Sequence, residues 1–137
     1  MNKRLVLDAS AALEAVLPGE QAVRVADTLE RASIVIVPGL FHSEVANALW
    51  KYTRAGFFGC QDAVERFETA VTLADRTVPD ADLAQEALVA ATANGHPVYD
   101  MLYAVLARRF GCTVCTMDRR LGEVLEKMGV AHLTLRS

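Results

Sequence analysis

Four acids in this chain fall where carboxylates can do chemistry. Asp8 and Asp118 directly follow short apolar or β-branched runs, and Glu44 and Asp100 lie in the early part of helical patterns. In a parallel α/β sheet with right-handed crossovers, strand ends and the starts of the following helices share one rim, so these distant acids can converge. Converging carboxylates repel one another, and hard cations relieve that repulsion. All-oxygen ligation suits Mg²⁺ or Mn²⁺ with waters completing an octahedron, and no Cys/His set points to zinc. Two such ions held roughly 3.5–4 Å apart would activate a water and stabilise the leaving oxygen of a phosphodiester. Taken singly, each acid also has an ordinary reading. Asp8 flanks a helix, Glu44 is solvated in an early turn, Asp100 substitutes for a cap, and Asp118 closes a turn before a helix.

The elements that would carry these acids are marked by periodicity and punctuation. Leu5-Val6-Leu7 is apolar at every position, which suits a strand covered on both faces, and it delivers Asp8 to a carboxyl end. Ser10 is placed to cap a helix running to about Leu17, which Pro18-Gly19 ends. Glu20 to Arg31 predicts a second helix with Ala22, Val23, Ala26 and Leu29 inward, and Ile34 to Val37 a second buried strand ended by Pro38. Leu40 to Ala55 is helical, with Phe41, Val45, Ala48, Leu49 and Tyr52 on its apolar side and Glu44, Asn47 and Lys51 along another stripe. Gln61 to Thr72 continues with Val64, Phe67 and Val71, and Arg76 to Val78 forms a very short strand or link.

Asp80 is read as the cap of a fifth helix, carrying Leu83, Ala84, Ala87, Leu88 and Ala91 and ended by Asn94-Gly95. A sixth helix holds Asp100 in its first turn and runs to about Phe110. Thr113 to Thr116 is a central strand, Arg119 to Met128 a closing helix stopped by Gly129, and Ala131 to Leu135 an edge strand. The expected architecture is a three-layer α/β/α sandwich with a mainly parallel sheet, built as one domain over residues 1–137.

At 137 residues the chain is long enough to bury a core without staples. Hydrophobic residues make up 53% of it and the mean hydropathy is +0.22, which points to apolar surface buried against a partner or a second copy. The net charge of −3 excludes a basic field over the whole molecule, so a nucleic-acid role needs local basic residues or metal ions. Asp8 interrupts the only signal-like opening, no segment has the length to span a bilayer, and a cytoplasmic location is expected. Cys112-Thr113-Val114-Cys115 fits C-x-x-C but lies in a β-branched run, where residues three apart face opposite sides. With Cys60 it reads as core or free thiol, not a disulfide framework.

Arg108, Arg109, Arg119 and Arg120 flank the last two acidic motifs and are phosphate-contact candidates, as are Lys51 and Arg54. All also suit helix ends. His42, His96 and His132 have no metal-pair spacing and read as surface or loop residues. Trp50, Phe57 and Phe58 surround a helix end and are candidates for a partner or dimer face.

Leu5-Val6-Leu7-Asp8-Ala9-Ser10, Pro38 with Glu44-Val45-Ala46-Asn47-Ala48-Leu49, Tyr99-Asp100-Met101-Leu102-Tyr103-Ala104 and Thr116-Met117-Asp118 together resemble the PIN-domain family. More narrowly, they resemble its VapC-type toxins from prokaryotic toxin–antitoxin pairs. The resemblance covers essentially the whole chain. It implies a Mg²⁺- or Mn²⁺-dependent endoribonuclease with Asp8, Glu44, Asp100 and Asp118 as the acidic cluster. It also implies supporting roles for Ser10, Asn47 and Thr116 and a cognate antitoxin, while the high apolar content leads us to expect a homodimer or a heteromeric complex. The alternative is a PIN-fold module that binds and regulates a partner with little turnover. A phosphoacceptor receiver domain fits poorly, because Ile34 to Val37 ends in Pro38 with no acceptor Asp. A haloacid dehalogenase-type phosphatase would want a second acid where Ser10 stands.

Overall fold

The computed structural model describes residues 3–135. Its central sheet has five strands, all parallel, in the order β3-β2-β1-β4-β5. In chain order the elements are β1 (Lys3–Leu7), α1 (Ala9–Val16), α2 (Gln21–Glu30), β2 (Ala32–Pro38), α3 (Leu40–Arg54), α4 (Cys60–Thr72) and β3 (Arg76–Val78). After a 3-10 turn at Asp80–Asp82 come α5 (Ala84–Asn94), α6 (Val98–Phe110), β4 (Thr113–Thr116), α7 (Arg119–Met128) and β5 (His132–Thr134).

The order of the strands follows from the chemistry of the runs. Leu5, Val6 and Leu7 are essentially without solvent exposure, as a strand with helices on both faces requires, and β1 accordingly sits in the middle. The chain steps outward from β1 through β2 to β3, then crosses back over β1 to β4 and on to β5. With right-handed crossovers, that reversal puts α1 to α4 on one face and α5 to α7 on the other. The packing agrees: α1 contacts α2, α3 and α4, while α5 lies on α6, and α6 lies on β1, β2 and β4. The expected three-layer α/β/α sandwich is therefore present, with a sheet that is wholly parallel. The edge strand expected from Ala131 to Leu135 narrows to His132–Thr134 and pairs with β4.

Several local expectations need correction. Ser10 is not the cap of α1. Asp8 holds the N-cap position and Ser10 lies inside the helix, which ends at Val16, one residue short of Leu17. In α2 the inward residue is Val25, fully buried, whereas Val23 is exposed; Ala22, Val25 and Leu29 recur at i, i+3 and i+7, the phase that packing selected. In α4 Ala70 is buried and Val64 is exposed, and in α5 Ala87 and Ala90 face in while Leu88 faces solvent. Asp80 does not cap α5, which starts after Leu83. Its Oδ1 instead accepts from the backbone N–H of Leu40 at 3.1 Å and so caps α3 from across the fold.

Among the described residues no helix is long and apolar enough to cross a membrane. Cys112 and Cys115 are buried free thiols and Cys60 is an exposed one. Burial, with the Asp8 charge behind it, pushes the Cys115 thiol up to about 12, so it behaves as an inert core residue.

Candidate active site

The sheet order reverses between β1 and β4, and an open α/β sheet forms its ligand crevice at the carboxyl ends of the strands beside such a reversal. Asp8 follows β1 directly, and Asp118 follows β4 by two residues, so the reversal brings two of the four acids side by side. The ladder continues to the acid itself, since Asp8 N–H donates to Cys115 C=O at 3.0 Å.

Asp8 is a buried carboxylate with a built support. Ser10 Oγ–H donates to its Oδ2 at 2.6 Å and Thr116 Oγ1–H donates to the same oxygen at 2.7 Å. Each hydroxyl is itself oriented by a backbone donor: Met117 N–H reaches Ser10 Oγ and Asp118 N–H reaches Thr116 Oγ1, both at 3.0 Å. With its acceptor side occupied, each hydroxyl turns its single proton toward Asp8. Burial pushes the Asp8 carboxyl above the usual carboxylate range, the two hydroxyls pull it back, and the charges of Asp100 and Asp118 push it up again.

Glu44 lies in the second turn of α3. Tyr103 Oη–H, from the buried face of α6, donates to its Oε1 at 2.6 Å. Burial raises the Glu44 carboxyl to about 6; the Tyr103 bond works against that rise, and Asp8, Asp100 and Asp80 add to it. The Tyr103 phenol is held far above its ordinary range by burial and by the charges of Asp8 and Glu44, so it remains a donor.

Asp100 is the third residue of α6, and His96 Nε2 lies 2.8 Å from its Oδ2. Asp118 is the N-cap of α7, its Oδ1 accepting from Arg120 N–H at 2.9 Å and Leu121 N–H at 3.4 Å. The ordinary capping role and a place on the rim thus coincide in Asp118.

The four acids share one electrostatic neighbourhood. Asp8 feels Asp100 and Asp118, and Glu44 feels Asp8, Asp100 and a fifth acid, Asp80. Among the described residues, no lysine or arginine pairs with Asp8, Glu44, Asp100 or Asp118. No three His, Cys, Asp or Glu side chains among them already stand close enough to hold a metal ion. Carboxylates of like charge keep apart until a cation comes between them. An all-oxygen donor set with uncompensated negative charge fits a hard divalent cation.

The supporting residues divide. Ser10 and Thr116 are joined to Asp8, whereas Asn47 is exposed on α3 and takes no part in that network. Arg108 and Arg109 both donate to Glu86, at 2.9 and 2.8 Å, so their guanidinium groups are committed away from the acids. Arg119 and Arg120 are exposed at the start of α7 beside Asp118. Arg54 lies over the Trp50 ring, 4.9 Å from its centroid. His96 corrects the surface reading of the histidines, since its side chain is only 7% exposed and faces Asp100.

Tyr103 and His96 were not among the site residues the sequence singled out. Tyr103 meets Glu44 across 59 positions, a pairing no local pattern reports. His96 carried a weak signal, an i, i+4 relation to Asp100 across a helix start.

The PIN domain family profile matches residues 5–127. This chain belongs to the PIN-domain family. The PIN chain is 31% identical over 122 residues to Ribonuclease VapC3 of Pyrobaculum aerophilum, covering 88% of this chain and 93% of that one. Its fold is similar to the crystal structure of PAE2754 from Pyrobaculum aerophilum, with a TM-score of 0.73, 22% identity, and 95% of this chain and 83% of that chain covered. It is also similar to VapC20 of Mycobacterium tuberculosis, described as a sarcin-ricin loop cleaving toxin, with a TM-score of 0.65, 19% identity, and 97% and 99% covered.

Proposed function

We propose that this PIN domain, one domain over residues 1–137, is a divalent-metal-dependent endoribonuclease and the toxin half of a VapBC-type pair. The observation that carries the reading is the convergence of Asp8, Glu44, Asp100 and Asp118 at the sheet reversal, in a chain related over most of its length to a VapC ribonuclease. These four carboxylates would hold Mg²⁺ or Mn²⁺. When bound, such an ion supplies an activated water for attack at phosphorus and neutralises charge on the departing oxygen.

The chain's own residues have definite tasks. Ser10 and Thr116 fix Asp8 through Oδ2, so that Oδ1 would be the oxygen left for a cation. Tyr103 holds Glu44 by one oxygen in the same way. Asp118 keeps α7 in place while presenting its charge to Asp8. Arg119 and Arg120, exposed beside it, are placed to meet backbone phosphates. Unpaired RNA suits an acidic crevice because its backbone can bend into it, whereas a duplex is stiff. Products would carry a 5′-phosphate and a 3′-hydroxyl. The proposal includes a cytoplasmic location, a homodimer and a cognate antitoxin partner, for which the exposed apolar residues Trp50, Phe57 and Val64 offer surface.

The test is cleavage of a labelled single-stranded RNA by purified protein with Mn²⁺ or Mg²⁺. Cleavage that disappears with EDTA, and in Asp8→Asn and Asp100→Asn proteins that still fold, supports the reading. Metal-dependent cleavage that survives both substitutions contradicts it, and a complete lack of cleavage favours a partner-binding regulatory module.

A further inference from the structure

The corner between α5 and α6 is built from Gly95-His96-Pro97, and each residue restricts the next. Gly95 closes α5 in the left-handed conformation at φ 59°. Pro97 has φ −57° and holds the N-cap position of α6, and a residue before proline is confined to extended backbone, which limits how His96 can lie. His96 N–H returns to Ala91 C=O at 3.2 Å, and Met101 N–H bonds Pro97 C=O at 3.3 Å, so the corner is tied on both sides.

Asp100 stands at the third position of α6, where an acidic side chain ordinarily reaches back to the N-cap backbone N–H. Pro97 has no N–H to offer. The carboxylate is therefore free of its usual local partner, and His96 takes that place, its Nε2 2.8 Å from Oδ2. An ionised carboxylate only accepts, so the ring nitrogen is the donor. The His96 side chain is 7% exposed and Asp100 28%, so the histidine is the more buried member of the pair and the acid keeps access to solvent. The charge of Asp100 acts on both Asp8 and Glu44.

We infer that His96 is a positioning residue for the metal-holding Asp100: its Nε2–H occupies Oδ2 and fixes the carboxylate plane, so that Oδ1 is presented to a divalent cation. This inference rests on the metal-dependent reading above. The role is that of an outer partner, whose loss weakens a metal site without removing a ligand.

The discriminating experiment compares His96→Gln with His96→Met in the full chain. Glutamine keeps an N–H donor near the position of Nε2, and methionine fills a similar volume without one. Mn²⁺ affinity is measured by calorimetry at fixed pH, and metal-free thermal melts check folding. We expect H96M to bind Mn²⁺ about 10–100-fold more weakly than wild type and H96Q to stay within about threefold of it, with similar metal-free midpoints. Equal affinities in the two variants overturn the inference, whether both match wild type or both are weak. A wild-type chain that binds no Mn²⁺ overturns the metal reading itself and this inference with it.

Discussion

At Glu44, burial and the fields of Asp8, Asp100 and Asp80 raise the carboxyl from 4.5 to about 6, while the Tyr103 hydroxyl restrains the rise. The folded chain thus holds this proton more tightly than the unfolded chain. Its contribution to stability is complete below pH 4.5 and is lost as pH rises through about 6. In EDTA, wild type should lose more stability than Glu44→Gln between pH 4.5 and 8, by about 1 kcal/mol after allowance for the partial exposure of the group. Parallel pH profiles of thermal midpoint for the two proteins would contradict the assignment. At this scale the placement of the acids at strand ends and early in helices was legible in the sequence, because those boundaries are punctuated by Pro38, Pro97 and the apolar runs. Their partners were less so. Ser10 and Thr116 came through the family resemblance, whereas the Tyr103 bond to Glu44 joins α6 and α3 from opposite layers of the fold. The His96 signal becomes readable only when the missing N–H of Pro97 is set beside an acid three residues later.

The helices place these side chains, and α3 is the one whose start is held from outside. Gly39, at its N-cap, has no side chain to offer, and Asp80 supplies the acceptor for Leu40 N–H after β3 has brought it alongside β2. Removing that cap in Asp80→Ala should cost about 1 kcal/mol of stability in urea denaturation. An unchanged midpoint would show that α3 does not depend on the contact. An Asp ahead of a helical pattern is visible in the sequence; which helix it serves is not, because the choice is made by strand pairing. The same limit explains α2. Val23 and Val25 are both apolar, and only packing against α1 and β2 selects Val25. The strands were easier to read, since β1, β2 and β4 each contain a continuous apolar or β-branched run, Leu5 to Leu7, Ile34 to Val37 and Thr113 to Thr116.

For the molecule as a whole, the reversal of strand order between β1 and β4 brings acids distant in sequence to one rim of the sheet. The layered parallel architecture was legible from alternating runs and helical patterns, whereas the wholly parallel sheet, including β5 at its edge, emerges only from register. A charged rim of this kind should make stability depend on cation. Mn²⁺ at about a hundred times its dissociation constant should add about 2.7 kcal/mol to the unfolding free energy. The increase should disappear in Asp8→Asn, and an equal increase in that variant would place the binding elsewhere. If the acids act as proposed, RNA is hydrolysed with water as the nucleophile, and following the oxygen shows whether it is. Single-stranded RNA is cut in ¹⁸O-water with Mn²⁺ and the fragments are weighed by mass spectrometry. One ¹⁸O in a 5′-phosphate, opposite a free 3′-hydroxyl, is the expected result. A 2′,3′-cyclic phosphate with an unlabelled 5′-hydroxyl would mean that the RNA's own 2′-oxygen attacks and that water is not the nucleophile.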